Sequence, residues 1–479
     1  MSSAADSPGS RFREFYSART VESLTVLALF GLAIVALVLL ASGRQFFAAL
    51  FLLGATGAGL LLFPRIAFYL FLISLGFYVP QRITYSFAVH PFDLMMGIVF
   101  GGIILEFMLR DRSEIRPASF DLPFVVLIIA TLVSTVFAYN PSLSIVPCAR
   151  IIVIYLAFRA VFKFGLEISV RKILLFYIYL VFLLSLHNIA LFVMHAGQVR
   201  VFGFSSLGYE SFSMTALPMA LAFWLWSESR REKIKFGAIA VAIGLGIVAT
   251  QARGPLLSVA LAVPLLMWLA AVKARRENDR RTISALKLLL IPLVVLGVAV
   301  IVLSGTLFAG SIMRYEAAID SFTRPTGTIA LRLVLWQTAI MAFLDHPFTG
   351  IGIGNFRVVH ELYPVLKTMP LHFYVRGMSA HNVILHYLAE TGLIGALALV
   401  VLAWGGLKRS YYDFRRKLSR KDTQVTAALY IGMLVFCITI LYMRAWTWGQ
   451  GGYVMALLFG LVAARRHTRR RHDESPSQL

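Results

Sequence analysis

Apolar runs of roughly 15 to 22 residues recur along the whole chain, from TVLALFGLAIVALVLLA near its start to YVMALLFGLVAA near its end. A helix needs about 20 such residues to cross about 30 Å of hydrocarbon. Inside that layer every backbone N–H and C=O must find its partner within the protein, which leaves helices or closed barrels. Barrel strands alternate in character over about ten residues, and no such alternation occurs here, so an all-α polytopic membrane protein is expected. Composition agrees: 59% of residues are hydrophobic and 14% charged, at a mean hydropathy of +0.79, where soluble domains carry about 25% charged residues. Cys148 and Cys437 are the only cysteines of the sequence, so neither a disulfide framework nor a thiolate metal site is implied. The opening MSSAADSPGSRFREFYSART lacks the basic-then-apolar order and the small-residue cleavage site of a signal peptide, so the first apolar run is expected to be retained.

About 14 spans are expected, beginning near residues 24, 46, 66, 93, 123, 150, 173, 213, 236, 255, 286, 382, 423 and 452. They divide the chain into an N-terminal tail (1–22), helices with short loops (23–303), one large loop (304–381), C-terminal helices (382–464) and a basic tail (465–479). The net charge of +22 would suggest nucleic acid in a soluble protein. Here most of the 45 Lys and Arg residues cluster between alternate spans, which marks those segments as cytoplasmic. Both termini are then expected to be cytoplasmic and the large loop external, the surrounding partners are membrane lipids, and nucleic acid is excluded. The loop is too apolar for a linker and contains the amphipathic LRLVLWQTAIMAFLD, so it is expected to fold onto the membrane face.

Arginines on the external side run against the positive-inside trend. Arg200 lies in GQVRVFGFSSLGYES, Arg253 in ATQARGPLLSV and Arg332 at the head of the amphipathic stretch. Each one could snorkel to lipid phosphates, or the three could converge on an anionic substrate, since guanidinium forks match phosphate oxygens and keep their charge. SAHNVILHYLAETGLIG sets His381 where a polar loop meets an apolar helix, as an anchor, a ligand or a catalyst. Glu390, polar within a span, is either functional or a hydrogen-bonding group of the bundle. His386 is five residues from His381, about 140° round a helix, and faces elsewhere. GIGIGNF (Gly350 to Phe356) reads as a tight turn of the loop.

His381-Asn382, nine residues, then Gly392-x-x-Gly395 resembles the signature of the bacterial O-antigen ligase family, which is related to O-antigen and exopolysaccharide polymerases. ARGPLL, with Arg253 and Leu257, resembles the family's Arg-x-x-x-Leu element, and VRVFGFSSLGYESF resembles the segment that carries Arg200. RLVLWQTAIMAFLDHPFTGIGIGNF resembles the part of the loop that precedes the motif histidine.

The resemblance covers roughly residues 190 to 400. It implies a GT-C-like bundle of about 12 to 14 helices, with the periplasmic loop between the last-but-three and last-but-two spans. It also implies an inverting glycosyltransferase of the bacterial inner membrane. The donor would be a glycan on undecaprenyl diphosphate, and the acceptor a hydroxyl of lipid A-core (a ligase) or of another lipid-linked glycan (a polymerase).

On this resemblance Arg200 and Arg253, with Arg332 as a weaker third, would hold the diphosphate. His381 would deprotonate or orient the acceptor hydroxyl, an unperturbed imidazole pKa near 6.5 being suited to that work. Asn382 would cap the helix or orient His381, Gly392 and Gly395 would allow close packing, and Glu390 would support the site. Glu316, Asp320, Asp345 and Glu361 remain alternative bases. No cofactor is expected, and arginines in place of an external Asp-x-Asp imply metal independence. A transporter of lipid-linked glycans shares the bulk features, but few ionisable residues lie mid-span and the long external loop suits an acceptor site better.

Overall fold

The computed structural model describes residues 56–76, 81–82, 88–89, 91–109, 116–195, 208–288, 328–358, 363, 377–442 and 451–474. Among these, twelve helices carry the fold: α1 (Pro64–Ser74), α2 (Pro91–Leu109), α3 (Asp121–Val136), α4 (Pro141–Phe164), α5 (Val170–Met194), α6 (Gly208–Leu225), α7 (Arg230–Ala249), α8 (Arg253–Arg276), α9 (Thr328–Asp345), α10 (Val383–Arg415), α11 (Arg420–Thr439) and α12 (Gly451–Glu474). The sole strand pairing among them is a two-residue antiparallel ladder, β1 (Gln81–Arg82) against β2 (Ala88–Val89), with Gln81 opposite Val89. The protein is all-α and polytopic.

The contacts divide the chain into two units, residues 1–71 with 94–116, and residues 72–93 with 117–479. In the first, Gly102 lies so near Leu61 that a Cβ there would come 2.9 Å from its carbonyl oxygen. The second holds α3 to α12. Its centre is α6, buried on all sides and packed against α5, α7, α8 and α11. A helix apolar all round belongs in the middle of a bundle. The first half of α12 is equally buried and lies along α4.

Four helical runs among the described residues are long and apolar enough to cross a membrane: Pro141–Met194, Gly254–Arg276, Val383–Arg415 and Arg420–Thr439. The first is two helices. A π-helical turn at Gly165–Ser169 and a left-handed Ser169 (φ 120°) separate α4 from α5, each about 36 Å long. The spans read near residues 66, 93, 123, 173, 213, 236, 255, 382, 423 and 452 each have a helix starting within a few residues. The one placed near 150 starts earlier, at Pro141. Asn140 caps it, its side chain accepting from Ser142 N at 3.2 Å, and proline occupies the first turn, where its missing N–H costs nothing. The starts near 24 and 46, and nearly all of the span from 286, lie outside the described residues.

Ion pairs gather at one end of the bundle. Lys273 at the end of α8 donates to the carbonyls of Phe414 (2.9 Å) and Arg416 (2.6 Å) at the C-terminal end of α10. Arg420 pairs with Asp279 at 2.7 Å, and Arg465 with Asp422 at 2.5 Å. Arg159, within α4, pairs with Asp121 at 2.8 Å. The start of α10 lies at the other end.

Candidate active site

At that other end Asn382 caps α10, its Oδ1 accepting from Leu385 N at 3.1 Å. The cap is Asn382 and not His381. His381, half-buried, stands just before it in a left-handed conformation (φ 50°), a region that histidine enters more readily than most residues. Val383 N donates to Ile440 O at 2.8 Å, tying the start of α10 to the end of α11.

Two residues on, the Tyr442 hydroxyl donates to Gly254 O at 2.9 Å and is hydrogen-bonded to Ser258 Oγ. Ser258 Oγ in turn lies 3.2 Å from Met214 Sδ of α6. Burial raises the Tyr442 pKa; Ser258 and the Arg332 charge oppose this, and buried Glu210 adds to it. Tyr442 therefore marks a meeting point of the starts of α6, α8 and α10 with Arg332 of α9. Sequence reading did not single it out.

The expected site residues divide accordingly. His381, Arg332 and the first turn of α8, which Arg253 opens, come to one end of the bundle. Arg200 lies outside the described residues, as do Glu316, Asp320 and Glu361. Asp345 ends α9 and bonds the Tyr363 hydroxyl, whose pKa is raised by burial first and by Asp345 second.

Gly392 breaks α10 with φ 66° and ψ −166°. The break turns backbone groups of the helix outward, and the loop after α9 takes them up. Leu393 N donates to Pro347 O (2.8 Å), Ala389 O accepts from Ile351 N (3.0 Å) and Glu390 O accepts from Gly352 N (3.1 Å). Ser134 Oγ of α3 adds a bond to the same Glu390 carbonyl at 2.5 Å. The loop approaches so closely that a Cβ on Gly392 would lie 2.3 Å from Phe348 O, and one on Gly350 2.3 Å from the Glu390 carbonyl carbon. Gly392 is thus a break, where sequence reading expected a packing glycine. At Gly395 a Cβ would crowd the side chain of Thr391, 2.6 Å from its Cβ, while Ala130 of α3 would be in ordinary contact at 3.6 Å.

The segment GIGIGNF is more than a turn. Gly350, Gly352 and Gly354 all have positive φ (67°, 103° and 83°) and lead into a 3-10 helix at Asn355–Val358. Asn355 is fully buried, with its Oδ1 accepting from Asn140 N (2.9 Å) and its Nδ2 donating to Ser144 Oγ (2.8 Å), so the loop is fastened to the start of α4. Phe356 N donates to Glu390 Oε1 at 3.0 Å.

Arg357 follows. Burial lowers its pKa to about 10, the Glu390 charge raises it and Arg150 lowers it further, so it stays cationic at neutral pH. Arg150 lies 3.6 Å from Asp93, which accepts the Tyr453 hydroxyl. Sequence reading did not single out Arg150 or Arg357. Three alternating glycines just ahead of Arg357 were the available signal that this segment docks.

The site can therefore offer cations from two elements of the loop (Arg332, Arg357), a helix start bearing Arg253, and an imidazole on strained backbone. Such a set suits an anionic leaving group and the removal of one proton.

Residues 238–400 match a protein-family model described as O-antigen ligase. Over that stretch, about a third of the chain, it is similar to O-antigen ligases. The match runs from within α7 through the loop to α10, and so takes in Arg253, Arg332, His381 and Glu390 but not Arg200. The chain is also similar to the exopolysaccharide production protein ExoQ of Rhizobium meliloti (strain 1021), at 27% identity over 197 residues. That similarity covers 40% of this chain and 42% of the relative, so less than half of either length is matched. The chain is thus similar, over part of its length, to O-antigen ligases and to an exopolysaccharide production protein.

Proposed function

We propose that the protein is an inverting, metal-independent membrane glycosyltransferase. It moves a glycan from undecaprenyl diphosphate to a sugar hydroxyl at the periplasmic face of the bacterial inner membrane, with lipid A-core as acceptor. The observation that carries this is the gathering of His381, Arg332 and the Arg253-bearing start of α8 at one end of the bundle, within the segment matched to O-antigen ligases.

His381 takes the proton of the acceptor hydroxyl, and the freed oxygen attacks the anomeric carbon. The bond to the diphosphate breaks with its electron pair leaving on phosphate oxygen, which inverts the anomeric centre. Arg253 and Arg332, with Arg200, stabilise that growing charge. Preorganised cations in a water-poor site are worth more there than in bulk solvent.

A second reading, repeat-unit polymerase, is favoured by the similarity to an exopolysaccharide production protein. A strain lacking the chain separates the two. Full-length glycans stranded on undecaprenyl beside bare lipid A-core establish the ligase. Single repeats on undecaprenyl, with no long chains, establish the polymerase.

A further inference from the structure

Two buried polar groups are left over from that mechanism. His386 and Glu390 are each 1% exposed in the first turns of α10, where apolar side chains would fill the space at less desolvation cost. Their contacts point in two directions. His386 Nδ1 accepts from Ala380 N at 3.4 Å, a long bond to the peptide just ahead of His381. Its Nε2 lies 3.2 Å from Glu390 Oε2, although off the line of a hydrogen bond. The other carboxylate oxygen accepts from Phe356 N, and the Phe356 ring meets the His386 ring edge-on at 5.2 Å. In a neutral imidazole an accepting Nδ1 leaves the proton on Nε2, the atom that faces the carboxylate.

We propose that His386 and Glu390 form a positioning pair that aims His381. Glu390 fixes the His386 tautomer, His386 holds the peptide that precedes the left-handed His381, and the same carboxylate locks the loop bearing Arg357 against this segment. One buried carboxylate thereby sets the base and a cation of the site in a common frame. The inference rests on His381 acting on the acceptor, as in the reading above.

The substitutions follow from the atoms. Glu390→Gln can still accept from Phe356 N, but its amide N–H₂ meets the Nε2 proton of His386. The ring proton then moves to Nδ1 and the bond from Ala380 is lost. His386→Leu fills the volume and removes both contacts. His386→Gln offers an acceptor to Ala380 and a donor to Glu390, and is the rescue variant.

The test is transfer by the full-length purified protein in lipid nanodiscs, with an undecaprenyl diphosphate glycan as donor and purified lipid A-core as acceptor. Thermal unfolding is recorded alongside. Glu390→Gln and His386→Leu are expected to lower kcat about 10²-fold, as a misplacement of about 1 Å does, with donor KM within about twofold. The double variant should be no slower than the slower single one, because the two act as a unit, and His386→Gln should recover most of the rate.

Wild-type kcat in Glu390→Gln and His386→Leu, alongside an inactive His381→Ala, overturns the pair and leaves the reaction standing. A loss that tracks a lowered unfolding temperature and is not rescued by His386→Gln also overturns it, as ordinary destabilisation. Full activity in His381→Ala removes the reading of the reaction itself, and the pair falls with it. Should His386→Leu fail to fold, Glu390→Gln and His386→Gln decide between these outcomes.

Discussion

Replacing Gly392 by alanine should undock the loop that follows α9 while leaving the bundle assembled. The glycine sits at φ 66°, ψ −166°, a region open to almost no other residue, and holding an L-residue there costs about 1–3 kcal/mol. The new Cβ would lie 2.3 Å from Phe348 O and 2.8 Å from Pro347 O. Both are backbone atoms that cannot rotate away, so the loop must retreat. Retreat breaks the bonds of Leu393 N to Pro347 O, Ile351 N to Ala389 O and Gly352 N to Glu390 O, at about 1 kcal/mol each.

The docked state should therefore weaken by about 4–6 kcal/mol, or about three to four powers of ten in the docking equilibrium. Hydrogen exchange on the full-length protein reads this directly, as lost protection across residues 346–358. Gly405→Ala in the same helix is the control: its Cβ would meet the far end of the flexible Arg409 side chain at 2.7 Å, with Phe120 next at 3.5 Å. Wild-type protection in Gly392→Ala would refute the account of the break as the loop's dock.

Arg253→Ala and His381→Ala should each abolish transfer while the protein still inserts, and turnover near wild type in either removes that residue from the mechanism. Activity should survive a chelator, and a chelated preparation that regains activity with magnesium or manganese would refute metal independence. Asn382→Ala should cost about 1 kcal/mol of stability as a lost helix cap, with Asn382→Asp retaining most of it in thermal unfolding. Burial alone would raise the Asp279 pKa, but bonds from Thr282 and the charge and bond of Arg420 outweigh it and hold it below the ordinary value. A depressed carboxylate stabilises the folded state above its unfolded pKa of about 3.9 and loses that contribution as pH falls through the folded value. The stability gap between wild type and Asp279→Asn should therefore be present at neutral pH and close below about pH 4.

What sequence could and could not reveal follows from the range of the interactions involved. Helices such as α6 and α11 were legible because an apolar run and its punctuation are local. The start of α4 was misplaced only until the Asn140-Pro141 cap is weighed against hydropathy. The His381-Asn382 motif was legible as a helix start for the same reason. The role of Gly392 was not, because Gly-x-x-Gly reads alike whether its first glycine packs a helix or breaks it, and only the backbone angles separate the two.

The expectation that His386 faces away from His381 was sound for one continuous helix. His381 nonetheless stands outside α10, on left-handed backbone, and Ala380 N just ahead of it comes within reach of the His386 ring. Arg357 joined the site through bonds spanning 34 residues from Phe356 to Glu390 and 215 from Asn140 to Asn355. No periodicity encodes such pairs. Alternating glycines do announce them indirectly: a chain that pays for three left-handed residues within five positions, Gly350 to Gly354, is fitting its backbone against another backbone, and the polar residues that follow are delivered wherever that surface lies.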